Sequence, residues 1–105
     1  MFNEFVITPI STIKQEIDQT RGPIGLDTET TGLNYSTDRA FGISIAFGNS
    51  YSYFLRNEFY TKDEIKDLLS YIFAMQRPLI FHNVKFDAHM IFSTYNVEVP
   101  FNLVH

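Results

Sequence analysis

The chain predicts an α/β fold on three observations. β-rich alternating runs are interleaved with segments of helical period, two such runs flank a Gly-containing turn in mid-chain, and a short all-apolar run follows the clearest helix. Phe5-Val6-Ile7 reads as a short strand. Thr8-Pro9 or Ser11-Thr12 then starts a helix with Ile10, Ile13 and Ile17 on one face, and Thr12 and Gln15 have capping-box spacing. Arg21-Gly22-Pro23 ends it and turns the chain into a strand through Ile24, Leu26, Asp27 and Glu29. Phe41 to Phe47 and Tyr51 to Leu55 form a hairpin about Gly48-Asn49-Ser50, most simply an antiparallel meander with the preceding strand.

Thr61-Lys62-Asp63-Glu64 is a capping box, and Ile65, Leu68, Leu69, Ile72 and Phe73 follow at helical spacing. After Pro78, the apolar run predicts a short buried strand from Leu79 to His82, in parallel pairing and covered on both faces. Val84 to about Tyr95 predicts a helix with Asp87 in its first turn and exposed to the strand ends, and Val97 to Val99 predicts a last strand.

With 105 residues and 45% hydrophobic content, one domain over residues 1–105 is expected. The absence of cysteine excludes disulfides, thiolate zinc sites and a cysteine nucleophile, so any metal must be held by oxygen or imidazole. A net charge of −4 argues against gripping duplex nucleic acid through a broad basic face. It does not oppose a nuclease whose bound cations supply the local positive charge. Nothing approaches a membrane span of about 18 apolar residues or a basic leader, and a cytoplasmic protein is expected. The eleven Phe and six Tyr mostly belong to the core, with stacking on single-stranded bases as the minority use.

The chemistry lies in two segments. Asp27-Thr28-Glu29 is an acid-x-acid pair where an apolar strand meets a Gly-containing turn, and residues two apart on a strand point the same way, toward a shared cation. His82-Asn83-Val84-Lys85-Phe86-Asp87 offers a second acid after an apolar strand. Singly, Asp27 and Glu29 equally suit a solvated turn, and Asp87 a helix N-terminus. Isolated His82 and His89 are expected to be neither ligands nor bases.

Together these segments resemble the first two motifs of the DnaQ-like (DEDD) 3′→5′ exonucleases, most nearly the proofreading domain of family A DNA polymerases. The likeness rests on the acid pair and on Asn83-Val84-Lys85-Phe86-Asp87 about sixty residues later, and it covers the chain to about Pro100. It implies a ribonuclease-H-like mixed sheet, a three-stranded antiparallel meander plus parallel strands, with flanking helices.

The resemblance also implies a two-metal Mg²⁺ or Mn²⁺ site on Asp27, Glu29 and Asp87, with Asp27 bridging both ions. Its substrate would be the 3′ end of single-stranded DNA, with RNA left open, and Thr28, Thr30, Gly32, Leu33, Asn83 and Phe86 are the candidate substrate contacts. Phe86 is at the same time a natural core residue. A third motif, Tyr-x-x-x-Asp or His-x-x-x-x-Asp, belongs on a later helix that the 105 residues do not reach, and Tyr95-Asn96-Val97-Glu98 does not replace it. The chain is therefore expected to be C-terminally truncated and feeble or inactive as it stands. Bared apolar sheet is expected to lead to self-association or contact with the rest of a polymerase. The alternative expectation is a non-catalytic, degenerate nuclease-fold module that binds nucleic acid or a protein.

Overall fold

A computed structural model describes residues 7–32, 34 and 37–105. Helix α1 (Ile10–Asp18) starts from Pro9, whose fixed φ and extended ψ aim its carbonyl at the amides of Thr12 and Ile13. The Thr12–Gln15 capping box does not form, because Thr12 already lies inside the helix. Of the strand expected at Phe5 to Ile7, Phe5 and Val6 lie outside the described residues, and Ile7 belongs to no strand.

Strands β1 (Ile24–Thr30), β2 (Ala40–Phe47) and β3 (Tyr51–Arg56) form the expected antiparallel meander. Helix α2 (Lys62–Ala74) opens on the predicted box, with Thr61 Oγ1 accepting from the Glu64 amide and Glu64 Oε1 from the Thr61 amide. Strand β4 (Leu79–Phe81) then adds parallel to β1, giving one sheet in the order β3-β2-β1-β4. Helix α3 (Val84–Tyr95) ends at Asn96, which adopts the left-handed conformation at φ 58°.

The described helices share one core with the inward row of the sheet. Ile13 and Ile17 of α1, Ile65, Leu68, Leu69 and Ile72 of α2, and Met90 and Ile91 of α3 pack with Ile24, Leu26, Ile43, Ile45, Leu55 and Leu79. Strand alternation sends Gly25, Asp27 and Glu29 to the other face, with Ser44, Ala46, Phe54 and Ile80. That face is open. Ile80 is 43% exposed, so β4 is not covered on both sides, despite its apolar run.

Val97 to Val99 form no strand. Both valines are buried as plugs in the core, and Pro100, which lacks an amide hydrogen, leads into a 3₁₀ turn over Phe101–Leu103. The sheet is approached instead by Val104, through a single parallel bridge to Leu79, and by the His105 amide, which donates to the Leu79 carbonyl. Because the capping box satisfies two otherwise orphaned amides of α2, Thr61→Ala is expected to cost about 1 kcal/mol. In thermal denaturation that corresponds to a fall in Tm of roughly 4–8 °C for a domain of this size.

Candidate active site

The end of β1 divides its side chains between two environments. Asp27 and Glu29 stand on the open face, two residues apart, and Ser44 on β2 directly opposes Asp27. The Ser44 hydroxyl donates to Glu29 Oε1 at 3.4 Å. Thr28, between the two acids, faces inward and is buried. Its hydroxyl donates to Asp87 Oδ1 at 2.6 Å, and its amide reaches the same oxygen at 3.3 Å.

Asp87 was expected to be exposed, but only 1% of it is accessible. A buried carboxylate needs hydrogen bonds on its lone pairs. Thr28 supplies two, and the Asn83 amide donates to Oδ2 at 3.3 Å. The first turn of α3 adds the favourable end of the helix dipole.

The three acids are close enough to act on one another at Asp27. Burial raises its carboxyl pKa, the charges of Asp87 and Glu29 raise it further, and nearby His82 opposes them. Like charges gathered in this way are relieved by a cation. The donors are all oxygen, which suits Mg²⁺ or Mn²⁺. Yet no group of three or more acidic or histidine side chains able to hold a metal ion is assembled among the described residues. Asp27 and Glu29 share one face, whereas the Asp87 carboxylate is engaged behind them by Thr28.

The remaining candidates divide between local structure and the site's rim. The Thr30 hydroxyl donates to the Gly32 carbonyl at 2.8 Å. Gly32 faces Asp38 so closely that a Cβ would fall 2.6 Å from Asp38 Oδ2. Asp38 in turn accepts from the Thr31 hydroxyl and the Asn34 amide, closing the loop that leaves β1. Leu33 lies outside the described residues. The Asn83 side chain is exposed at the start of α3, while Phe86 is buried in the core and so is not offered to a substrate.

Ser44 and Asp38 join the site without any signal in the sequence. Nothing in the order of residues reveals that Ser44 opposes Asp27, and Asp38 carries no more signal than any loop acid. A shallow concavity of about 230 Å³ lies beside Asp27, lined by Gly25, Ser44, Ala46, Ser52 and Ile80. A larger groove of about 470 Å³ runs along α3 past His89, Phe92 and Phe101, and none of the three acids lines it.

The family described as 3′-5′ exonuclease, that of family A DNA polymerases, matches residues 7–102. The chain belongs to this family. It is 40% identical over 74 residues to the DNA polymerase DpoZ of Salmonella phage PMBT28, a match covering 65% of this chain and 11% of that protein. It is 26% identical over 93 residues to the DNA polymerase of Escherichia phage T5, covering 89% of this chain and 11% of the polymerase. The chain thus spans about a tenth of the length of these relatives. A solved structure described as the apo form of a nuclease superposes with a TM-score of 0.62 at 25% identity, over 81% of this chain and 41% of that one. The exonuclease family and the nuclease-like α/β fold expected from the two motifs are therefore established.

Thr28→Val keeps the shape of the side chain but removes a donor from a buried carboxylate, and is expected to cost about 1–3 kcal/mol in urea unfolding at pH 7. Thr28→Ser should retain most of that stability. The raised pKa of Asp27 favours its neutral form in the folded state. The resulting stabilisation is complete below the usual carboxylate value of 3.8 and is lost as pH rises through the raised value. Thermal melts in chelator should therefore show Asp27→Asn more stable than the parent at pH 7, the gap closing toward acid. Solvent screening of this exposed group keeps the difference below about 1 kcal/mol.

Proposed function

We propose that this chain is a metal-dependent 3′→5′ exonuclease domain of the kind that removes nucleotides from the 3′ end of single-stranded DNA, part of a DNA polymerase and feeble or inactive over these 105 residues alone, which carry no third acidic motif. The observation that carries the reading is the placement of Asp27 and Glu29 on one face at the end of β1 with Asp87 bonded to Thr28 between them, where burial first, and then the charges of Asp87 and Glu29, make Asp27 costly to ionise without a cation. Asp27 and Glu29, with Asp87 behind them, would hold Mg²⁺ or Mn²⁺, which supplies Lewis-acid activation of water and neutralises charge at the phosphate. Ser44 steadies Glu29, and Thr28 fixes Asp87. The likeness to phage DNA polymerases supports DNA as substrate.

The engagement of Asp87 by Thr28 favours a second reading, in which the fold is retained as a non-catalytic module that binds nucleic acid or a protein. The two readings separate on metal binding and on catalysis. For the exonuclease, Mn²⁺ at a hundredfold excess over its Kd raises stability by about 2.7 kcal/mol through mass action, and Asp27→Asn abolishes the shift. Release of mononucleotides from a 3′-labelled single strand in Mn²⁺ is feeble at most with these 105 residues, and Asp27→Ala abolishes what there is. Release that is indifferent to Asp27→Ala, or no release and no Mn²⁺-dependent shift in Tm, would favour the module.

A further inference from the structure

The surface that carries Asp27 and Glu29 continues across two more strands. Pairing aligns Asp27 with Ser44 and Ser44 with Phe54, and one row on it aligns Glu29 with Gly42 and Gly42 with Arg56. Directly opposed residues share a face, so Phe54 and Arg56 stand on the same open surface as the acids. A Cβ on Gly42 would come within 2.6 Å of the Phe54 ring, which therefore lies down over the glycine. Phe41, left without a partner on β1 by the register shift at Glu29/Thr30, brings a second ring to 6.3 Å in an edge-on arrangement. The Arg56 guanidinium lies 5.7 and 5.8 Å from the two ring centres.

Phe54 is 46% exposed and Phe41 37%. Covering Gly42 accounts for the Phe54 ring but not for the second ring or the cation beside it. A stacking ring next to a guanidinium is suited to a nucleobase and its phosphate. Glu58 engages Arg56 through Nε at 2.7 Å, and a guanidinium has further donors for phosphate oxygens. Of the described residues that pairing places on this face, Arg56 alone is cationic, and although Glu58 offsets its charge, its terminal amino groups are the cationic donors this face offers to a phosphate.

We propose that Phe54, Phe41 and Arg56 form a platform for single-stranded nucleic acid, behind a 3′ terminus held at Asp27 and Glu29. The proposal rests on the exonuclease reading above. With strands about 4.8 Å apart, Phe54 lies roughly 10 Å from Asp27. At a stacked rise of about 3.4 Å per nucleotide, that is a reach of two or three nucleotides.

The test is fluorescence anisotropy of the chain with labelled oligothymidylates in Ca²⁺, comparing a dinucleotide, a tetranucleotide and an octanucleotide. Affinity should rise about tenfold from dinucleotide to tetranucleotide, the gain of roughly one stacked base. Phe54→Leu, which keeps an apolar cover on Gly42, and Arg56→Gln should each remove most of that gain, whereas Phe92→Leu on α3 should keep it. If Phe54→Leu fails to fold, Arg56→Gln alone carries the test, because its side chain packs in no core.

A gain that persists in both platform variants overturns the proposal, as does a parent chain that binds no oligonucleotide. A dinucleotide bound as well as a tetranucleotide, with mononucleotide release still dependent on Asp27, overturns the platform and leaves the exonuclease intact. A length gain sensitive to both variants, without any Asp27-dependent shift in Tm on adding Mn²⁺, supports nucleic-acid contact at the rings and removes the exonuclease reading. Loss of self-association in the variants, with the length gain untouched, would assign the rings to protein contact and overturn the proposal.

Discussion

The hydrogen bond from Thr28 to Asp87 holds together the parts of the molecule on which the proposed chemistry depends. It ties the end of β1 to the first turn of α3 across fifty-nine positions of sequence, in a setting where water contributes almost nothing. An ionised carboxylate buried without donors would cost several kcal/mol. Asp87 avoids that cost because two donors from Thr28 and one from Asn83 converge on it. The same bonds determine how far its oxygens stand from the acid pair on the open face.

The rest of α3 is held in place to serve that contact. At the far end of the helix, the buried Tyr95 hydroxyl donates to Asn57 Oδ1 at 2.7 Å, and burial pushes the phenol pKa up to about 12. Asn57 then donates to the Ala40 carbonyl, while Thr94 accepts from the Ala40 amide. The helix is thus pinned at its N-terminus to β1 and near its C-terminus to the start of β2. Arg77 performs a comparable task at the other end of the sheet, donating to Ile17, Thr20 and Gly22 about the turn that feeds β1. Both constraints act on the position of β1, and so on Asp27 and Glu29.

One-sided packing links stability with function. The described helices cover the inner row of the sheet, which leaves the outer row free to carry acids near β4 and aromatic and cationic groups near β3. Small residues between them, Gly25, Gly42, Ser44 and Ala46, keep the surface low. An apolar face of this kind invites association, and here its exposed rings are set beside a guanidinium and two carboxylates. On the proposed reading, a cation at the acids and a single strand on the rings meet the protein on one continuous surface.

The sequence by itself determined the α/β class, the antiparallel meander, α2 with its capping box, and the presence of two acidic motifs, because each depends on residues within a few positions of one another. Thr61 and Glu64 cap because the apolar helical period starts just after them, as it does not after Thr12 and Gln15, and Asp27 and Glu29 share a face because they lie two apart on one strand. Tertiary structure alone decided that Asp87 is buried, that Val97 and Val99 plug the core instead of forming a strand, and that Ile80 is left bare. It also decided that Phe54 and Arg56 stand in rows with the acids. These outcomes turn on which strand pairs with which and where the helices pack, and long-range pairing and burial leave no local pattern in the order of residues.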